Sequence, residues 1–342
     1  MMPHSTPGQP HVAPTVDRSR SRTFLSPAAA IVALVIGYLL PSLLGGSNKV
    51  YSVLVLIAIF AVMSYGVDVV LSYLGEMSLG HTLFWAAGAY AAAMISQKLE
   101  WPAALSFAAS CAVAVVLAAT IGFATIRTRE FVFSLVTYAS AVIGLTIVAS
   151  SDFFGGSDGF YGIPPLSFWV GDGDYTVRSD ADLWPLAYVL LVVVILIVWR
   201  FSRSRLGVSA LMAQMNPELA TSIGVSVPLT RVLVFTLSAP VSAAAGWFYA
   251  YQRSYVGPDL LSPFFLLLML TAVILPGKRL LFGPLVGAAI LTTQQQVFSF
   301  GGNVDKLVLG GVLAIVLLLS ADGLVGIWRR IAAHRTRDDE ER

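Results

Sequence analysis

The chain has few charged residues, and this shortage excludes an ordinary soluble globular protein. Asp, Glu, Lys and Arg make up 12% of its 342 residues, whereas hydrophobic residues make up 57%. Soluble domains usually carry about 25% charged residues. Apolar runs such as 28–44 and 186–198 supply no polar shell that could face water. Much of the surface must therefore contact lipid.

The sequence also lacks the residues of several common catalytic and metal sites. Its one cysteine, Cys111, excludes an internal disulfide and lies in the apolar run 103–120, which is typical of a buried thiol. There is no Gly-x-x-x-x-Gly-Lys-Ser/Thr loop, no Gly-x-Ser-x-Gly and no His-Glu-x-x-His. The histidines show no metal-ligand spacing; they are His4, His11, His81 and His334. We expect neither enzyme activity, cofactor nor metal, and any energy from ATP must come through a partner.

Ten apolar segments are candidates for spanning or re-entrant helices. A helix needs about 20 mostly apolar residues to cross about 30 Å of hydrocarbon, and shorter runs are typical of broken helices. The segments are 28–45, 50–74, 79–96, 102–126, 131–150, 184–201, 231–251, 262–275, 283–300 and 304–320. The sequence thus predicts an all-α, polytopic transmembrane bundle over 28–328. Polar tails at 1–27, predicted to be disordered, and at 329–342 flank it.

Basic residues are unevenly divided between the two ends of these segments. All but five of the 21 Lys and Arg residues fall on one side. The five exceptions are Lys49, Lys98, Arg178, Arg253 and Lys306. Because short loops rich in Lys and Arg stay in the cytoplasm, this division predicts that both termini are cytoplasmic.

Two connecting segments are long enough to carry function. We interpret the outer one, 151–183, as a structured external cap or gate. Its glycine-rich motif consists of Gly155, Gly156, Ser157, Asp158 and Gly159. The inner segment, 202–230, begins with basic residues and has few helix breakers except Pro217. This pattern predicts one or two short amphipathic helices at the cytoplasmic surface.

Ionisable residues in or beside the predicted spans are candidates for a transport pathway. Asp68 lies inside the second segment, where a charged side chain costs at least about 2.5 kcal/mol on insertion scales. It should be neutralised, paired or directed at a water-filled path. Glu76 and His81 follow in a glycine-containing stretch, for which an interfacial position is the alternative. We take Asp68, Glu76, Ser78 and His81 as candidate pathway residues.

A second interruption by Gly and Pro occurs at 275–288. The spacing of Gly283 and Gly287 favours close helix contact, and Pro284 favours a helix start. Together with the stretch at 74–81, it gives one interrupted hairpin in each half of the chain. This arrangement hints at a repeat around a central site.

Four stretches, in order, resemble the branched-chain amino acid ABC transporter permease family, particularly its LivM-type subunit, whose relatives include urea and amide permeases. Residues 75–90 resemble the family's Gly-Gln-Leu-Ser-Leu-Gly-His segment leading to Gly-Ala-Tyr. Residues 127–135 with 155–165 resemble its Arg-x-Arg to Gly-Gly-x-x-Gly-Leu-x-Gly-Ile-Pro block. Residues 216–224 resemble its cytoplasmic coupling segment, and residues 283–288 match its Gly-Pro-x-x-Gly-Ala.

This resemblance implies a permease subunit that forms half of the translocation pathway of an ABC importer in the inner membrane. The implied partners are a second, related permease, two cytoplasmic ATPases and an external solute-binding protein, with no nucleic acid. The inner segment would dock an ATPase, and the glycine-rich motif would face the binding protein. The residues implied in ATPase coupling are Arg205, Leu211, Asn216, Glu218 and Gly224.

The chain departs from the family at positions that bear on its substrate. The family usually has amides where this chain has Asp68 and Glu76, and its Gly-Gly-x-Gly turn is here 276–279. Branched-chain amino acids are therefore the first expectation, and urea or short amides are the second. An ion-coupled secondary transporter, with Asp68 and Glu76 as ion sites, is the rival class. An intramembrane enzyme using Glu76 and His81 would lack a nucleophile or a metal cluster.

Overall fold

The structure, a computed structural model, describes residues 27–99, 101–126, 128, 130–170, 173–297, 304, 307, 308, 310, 311 and 314. Its α-helices are α1 (Pro27–Leu43), α2 (Asn48–Tyr73), α3 (His81–Met94), α4 (Ala103–Ala124), α5 (Glu130–Ser150), α6 (Asp180–Ser202), α7 (Arg205–Met215), α8 (Pro217–Ser222), α9 (Val227–Arg253), α10 (Pro263–Ile274) and α11 (Gly283–Val297). The described residues up to Leu40 and those from Pro41 onward fall into separate units.

Five of the described helices are long and apolar enough to cross a membrane. They are α2, α4, α5, α6 and α9, and they coincide with predicted segments 50–74, 102–126, 131–150, 184–201 and 231–251. The prediction of an all-α membrane protein is confirmed. The count of ten segments stays a prediction, since most of segment 304–320 and both predicted tails, apart from residue 27, lie outside the described residues.

Helices α2 and α9 occupy the centre of the bundle. Every residue of α2 from Ala58 to Ser72 is buried. Helix α2 contacts α6, α9, α10 and α11, and α9 also contacts α3 and α4. Helices α4, α5 and α6 instead present large apolar side chains outward, for example Val116, Phe131 and Leu196. A helix that is apolar on all sides is buried in a membrane bundle, whereas these outer faces suit lipid.

Helices α3 and α9 cross with their backbones in contact. A Cβ atom on Gly88 would lie 2.1 Å from the carbonyl oxygen of Ala243, and one on Gly246 would lie 2.0 Å from that of Trp85. Both positions therefore require glycine. Close approach at small residues replaces the hydrophobic effect as the source of helix association in lipid.

The second interruption also has the predicted form. Helix α10 ends at Ile274, and α11 begins at Gly283 with Pro284 in its first turn. A Cβ atom on Gly287 would lie 1.9 Å from the carbonyl oxygen of Ala272, so α10 and α11 are in close contact there. The helix start and the close packing of Gly287 are both confirmed.

The outer segment contains short antiparallel strands, which confirms the prediction that it is structured. Strand β1 (Phe160–Tyr161) pairs with β4 (Tyr255–Val256), which follows α9. Strand β2 (Ser167–Val170) pairs with β3 (Gly173–Thr176). The inner segment forms α7 and α8, as predicted. We call the two ends of the bundle the strand end and the α7–α8 end.

Candidate functional site

Asp68 is buried near the last turns of α2 and is hydrogen-bonded within that helix. Only 3% of the residue is exposed. The hydroxyl of Ser72, one turn later, donates to Asp68 Oδ1 at 2.6 Å. The partner of Asp68 in this network is thus a neutral hydroxyl, and the nearest cation in the network is reached through Ser72.

That cation is Arg279, in the turn between α10 and α11. Its backbone N–H donates to Ser72 Oγ at 3.0 Å, and its Nε donates to the Ser72 carbonyl oxygen at 3.1 Å. Its Nη2 donates to Gln214 Oε1 of α7 at 2.6 Å. Three elements that are distant in sequence therefore meet at one guanidinium group. We call Asp68, Ser72, Arg279 and Gln214 the Arg279 network.

Glu76 lies in the connection between α2 and α3 and forms an ion pair with Arg231 Nε at the start of α9. Arg231 also donates through Nη1 to the Thr128 carbonyl oxygen at 2.7 Å, in the turn between α4 and α5. The Glu76 residue as a whole is 5% exposed. Burial with a charged partner is the arrangement that an ionised side chain requires away from water.

His81 begins α3 and bridges two serines. Its Nδ1 lies 2.8 Å from Ser78 Oγ, and its Nε2 lies 3.0 Å from Ser238 Oγ of α9. The Ser238 hydroxyl donates to the Phe235 carbonyl oxygen at 2.7 Å, so it accepts from Nε2. Nδ1 then accepts from the Ser78 hydroxyl, and the bonds fit a neutral imidazole with its proton on Nε2.

Helix α5 fixes the connection that carries Glu76 and Ser78. Ser134 Oγ donates to the Met77 carbonyl oxygen at 2.6 Å, and the Leu79 N–H donates to Thr137 Oγ1 at 3.2 Å. Backbone groups that α2 and α3 leave free are thus satisfied by side chains of a third helix. The connection is an ordered irregular segment inside the protein.

The four candidate pathway residues are buried, in three separate hydrogen-bonded sets. Three cavities formed by described residues lie elsewhere. Cavities of about 530 and 470 Å³ at the strand end share Pro165, Leu166 and Tyr251. A groove of about 600 Å³ beside α6 is lined mainly by aliphatic side chains such as Leu196. The pathway role of Asp68, Glu76, Ser78 and His81 therefore stays a prediction, and this conformation occludes them.

At the strand end, the glycine-rich motif lies against the segment that follows α9, and the residues just before the motif bond to the segment that follows α3. Gly155, Gly156 and Gly159 have φ values of 84°, 59° and 77°. A Cβ atom on Gly159 would lie 2.3 Å from the Val256 carbonyl oxygen. Lys98, just after α3, donates to the Phe153 carbonyl oxygen at 3.1 Å. Ser157 and Asp158 are exposed at the tip.

The predicted coupling residues lie on α7 and α8 or at their ends. Asn216 separates the two helices, and its Oδ1 accepts from the Leu219 N–H at 3.0 Å, so it caps α8. Gly224, with φ of 88°, follows α8. Arg205 and Glu218 are exposed, and Leu211 is half-buried.

Sequence reasoning missed an exposed apolar ridge on the same segment. Met215, Leu219 and Ile223 are 74%, 61% and 59% exposed. We call these three residues the coupling ridge. Their spacing of four residues could have drawn attention to them, although Asn216 interrupts the helix between Met215 and Leu219.

It also missed the partners of the buried polar groups. The sequence could have pointed to Arg231 and Arg279, because a carboxylate predicted to be buried in a membrane protein usually has a cation nearby. Ser72, Gln214 and Ser238 carried none, since their contacts depend on tertiary packing. The partners thus lie on elements that are far apart in the sequence, and no local sequence pattern connects them.

Comparison with known proteins places these observations beside a family of transporters. The sequence profile of the family described as "Branched-chain amino acid transport system / permease component" matches residues 49–318. The high-affinity branched-chain amino acid transport system permease protein LivM of Escherichia coli K12 is 23% identical over 352 residues, covering 95% of this chain and 80% of that protein. No solved structure matches the chain significantly.

Two further relatives have related descriptions. The LivM protein of Salmonella typhimurium LT2, described in the same words, is 24% identical over 296 residues, covering 79% of this chain and 68% of its own. A probable branched-chain amino acid transport permease protein LivH of Methanocaldococcus jannaschii is 21% identical over 159 residues, covering 44% of this chain and 50% of that protein.

Proposed function

The chain belongs to the family of branched-chain amino acid transport system permease components, and from this premise we propose that it is one permease subunit of an ABC importer. It is an integral membrane protein with a transport role. In the proposal it forms half of the translocation pathway for branched-chain amino acids or a related small solute in the inner membrane. A second permease, two ATPases and an external solute-binding protein complete the assembly.

The observation that carries the proposal is the coupling ridge. Met215 at the end of α7, Leu219 on α8 and Ile223 just after α8 are exposed, and so are Asn216 and Glu218 beside them. Exposed apolar residues rimmed by polar ones are typical of a protein-binding surface. An ATPase groove is the occupant we propose, because the sequence contains no nucleotide-binding loop of its own.

The proposed coupling segment is attached to the bundle at both ends. Gln214 of α7 bonds to Arg279, and Arg231, after α8, pairs with Glu76. A displacement of α7 and α8 would therefore reach α2, α9 and the α10–α11 turn. This attachment supports a mechanism in which ATPase closure rearranges the membrane helices.

The pathway itself is proposed to lie beside the buried polar residues. Asp68, Ser78 and His81 are occluded here, and Glu76 is paired. Alternating access would open this region to one side at a time. At the opposite end, the exposed Ser157 and Asp158 are proposed to face the solute-binding protein.

Reconstitution in proteoliposomes tests the proposal directly. The permease pair, the ATPases and the binding protein would be combined, and uptake of labelled leucine would be measured with ATP inside. We expect uptake that requires ATP, the second permease and the binding protein. If unlabelled urea or acetamide, rather than unlabelled amino acids, inhibited the uptake, a urea or amide permease would be favoured. Uptake driven by an ion gradient alone would overturn the importer assignment.

A second experiment tests the docking surface. Each of Met215→Ala and Leu219→Ala removes apolar area worth about 1.5–3 kcal/mol when fully buried, so we expect at least about tenfold weaker ATPase binding. The matched control is Leu229→Ala, because Leu229 is also exposed and lies at the start of α9, outside the ridge. Equal ATPase retention on purified permease for all three variants would contradict the docking assignment.

A further inference from the structure

Arg279 lies where the α10–α11 turn meets α2 and α7, three elements that would move in the proposed transporter. It belongs to the α10–α11 turn, and it bonds to Ser72 of α2 and to Gln214 of α7. Ser72 in turn donates to Asp68. The four residues of the Arg279 network therefore connect α7, at the surface, to the buried carboxyl group of Asp68.

Gln214 has little freedom to move independently of this network. Gly75, just beyond the end of α2, has a φ of 75°, and a Cβ atom there would lie 2.7–3.1 Å from the side chain of Gln214. The side chain of Gln214 therefore lies against the Gly75 backbone while its Oε1 accepts from Arg279. A displacement of α7 is transmitted to both neighbours.

The backbone conformation of Arg279 favours glycine, so we attribute the arginine at this position to the hydrogen bonds that its side chain makes. Its φ is 62°, in the left-handed region that residues with a Cβ rarely adopt. Glycine would adopt this conformation without strain. An arginine here keeps the strain but gains a planar group whose separate nitrogens, Nε and Nη2, each reach a different acceptor, whereas a lysine has a single nitrogen.

We propose that Arg279 is a positioning residue that links α7 to the Asp68–Ser72 pair, so that displacement of the coupling segment moves α2 and the α10–α11 turn together. This proposal rests on the ATPase coupling proposed above. Arg231 and Glu76 perform the corresponding attachment for α9 and the α2–α3 connection. The two attachments divide the motion of α7 and α8 between different helices.

The variant that tests the link without endangering the fold is Arg279→Gly. It suits the local φ and keeps the backbone N–H that donates to Ser72, but it removes both side-chain bonds. In the reconstituted complex we expect normal assembly and ATP hydrolysis, with solute transported per ATP reduced at least fivefold. Gln214→Ala should give a similar loss, and the double variant should be no worse than either single variant.

The matched control is Lys278→Gln, which removes the adjacent, exposed positive charge. We expect its transport per ATP to stay within twofold of the unmodified protein. Unchanged coupling in Arg279→Gly, or an equal loss in Lys278→Gln, would overturn the link.

Hydrogen exchange on the purified full chain separates failure of the link from failure of the importer assignment. Ser72 is not bonded to α7, so Ser72→Ala should raise amide exchange in α7 only through Arg279. We expect at least a fivefold rise in the otherwise unmodified chain and no rise in the Arg279→Gly background. A similar rise in both backgrounds, or none in either, refutes the link whatever the transport assay gives.

Discussion

Glu76 and Arg231 show how a buried charge is tolerated at the scale of single residues. Their side chains are 6% and 17% exposed. Removing one member of a buried ion pair typically costs about 3–5 kcal/mol, because the other charge is left unpaired, whereas replacing both with apolar residues costs far less. We therefore expect Glu76→Leu and Arg231→Leu each to lower the melting temperature more than the double variant does.

Thermal unfolding of the purified protein in detergent measures this difference. Glu218→Leu serves as the control, since Glu218 is exposed and such substitutions usually change stability by less than about 0.5 kcal/mol. If the double variant loses the sum of the two single losses, the pair is not the reason for the burial of Glu76.

Ser78 provides a residue-scale test of the pathway assignment. It is fully buried, and Ser110 on α4 is equally buried away from the connection between α2 and α3. In a Cys111→Ala background, we expect Ser78→Cys to react with a small water-soluble thiol reagent only while the assembled transporter hydrolyses ATP. Ser110→Cys should stay unreactive. Equal reactivity of the two cysteines, with or without ATP, would argue against a pathway at Ser78.

Some of the site was predictable at this scale and some was not. The cost of an ionisable group in lipid pointed to Asp68 and Glu76 from sequence alone, and both are buried with partners. Their partners were not foreseen. Ser72 is an ordinary helix residue in sequence, and Arg279 lies more than two hundred positions away, so only the packing of α10 and α11 against α2 brings it there.

At the scale of elements, apolar length predicted the long helices well and the interrupted ones less well. Helix α3 begins at His81 rather than at residue 79, because Ser134 and Thr137 of α5 bond to the preceding backbone. Near α11 the prediction was correct for the helix start at Pro284 and for the packing of Gly287 against α10, whereas Gly283 lies beside the preceding turn and not against another helix.

The contact between α3 and α9 yields a prediction at the same scale. Gly88→Ala would place a methyl group against the backbone of α9, which cannot move aside as a flexible side chain does. We expect a loss of about 1–3 kcal/mol, the usual cost of overpacking. The control is Gly144→Ala in α5, where the new methyl group would lie 2.6 Å from the end of the Leu83 side chain and 3.9 Å from Leu261 Cδ2.

Thermal unfolding and the amount of protein in the membrane measure this prediction. Gly144→Ala should resemble the unmodified chain, because Leu83 can adopt another rotamer. If Gly88→Ala is as stable as Gly144→Ala, the backbones of α3 and α9 are farther apart than described.

At the scale of the whole molecule, the basic residues are divided unequally between the two ends of the bundle. Arg200, Arg231 and Arg279 lie toward the α7–α8 end, whereas Lys98 and Arg253 lie toward the strand end. The sequence therefore predicted which loops share an end, because alternation along the chain fixes this once the spans are recognised. It could not predict the networks that tie each end together.

The same division predicts the side of the membrane on which each end lies. Loops rich in Lys and Arg are retained in the cytoplasm, so the α7–α8 end should face inward, where ATPases are available. In a Cys111→Ala background without partner subunits, Ser157→Cys and Met215→Cys each place a thiol at an exposed position of opposite ends. A membrane-impermeant maleimide added to spheroplasts should label Ser157→Cys at once and Met215→Cys only after permeabilisation. Both should react fully in denaturant, which controls for expression. Labelling of Met215→Cys in sealed spheroplasts would place the coupling ridge outside, and no cytoplasmic ATPase could then bind it.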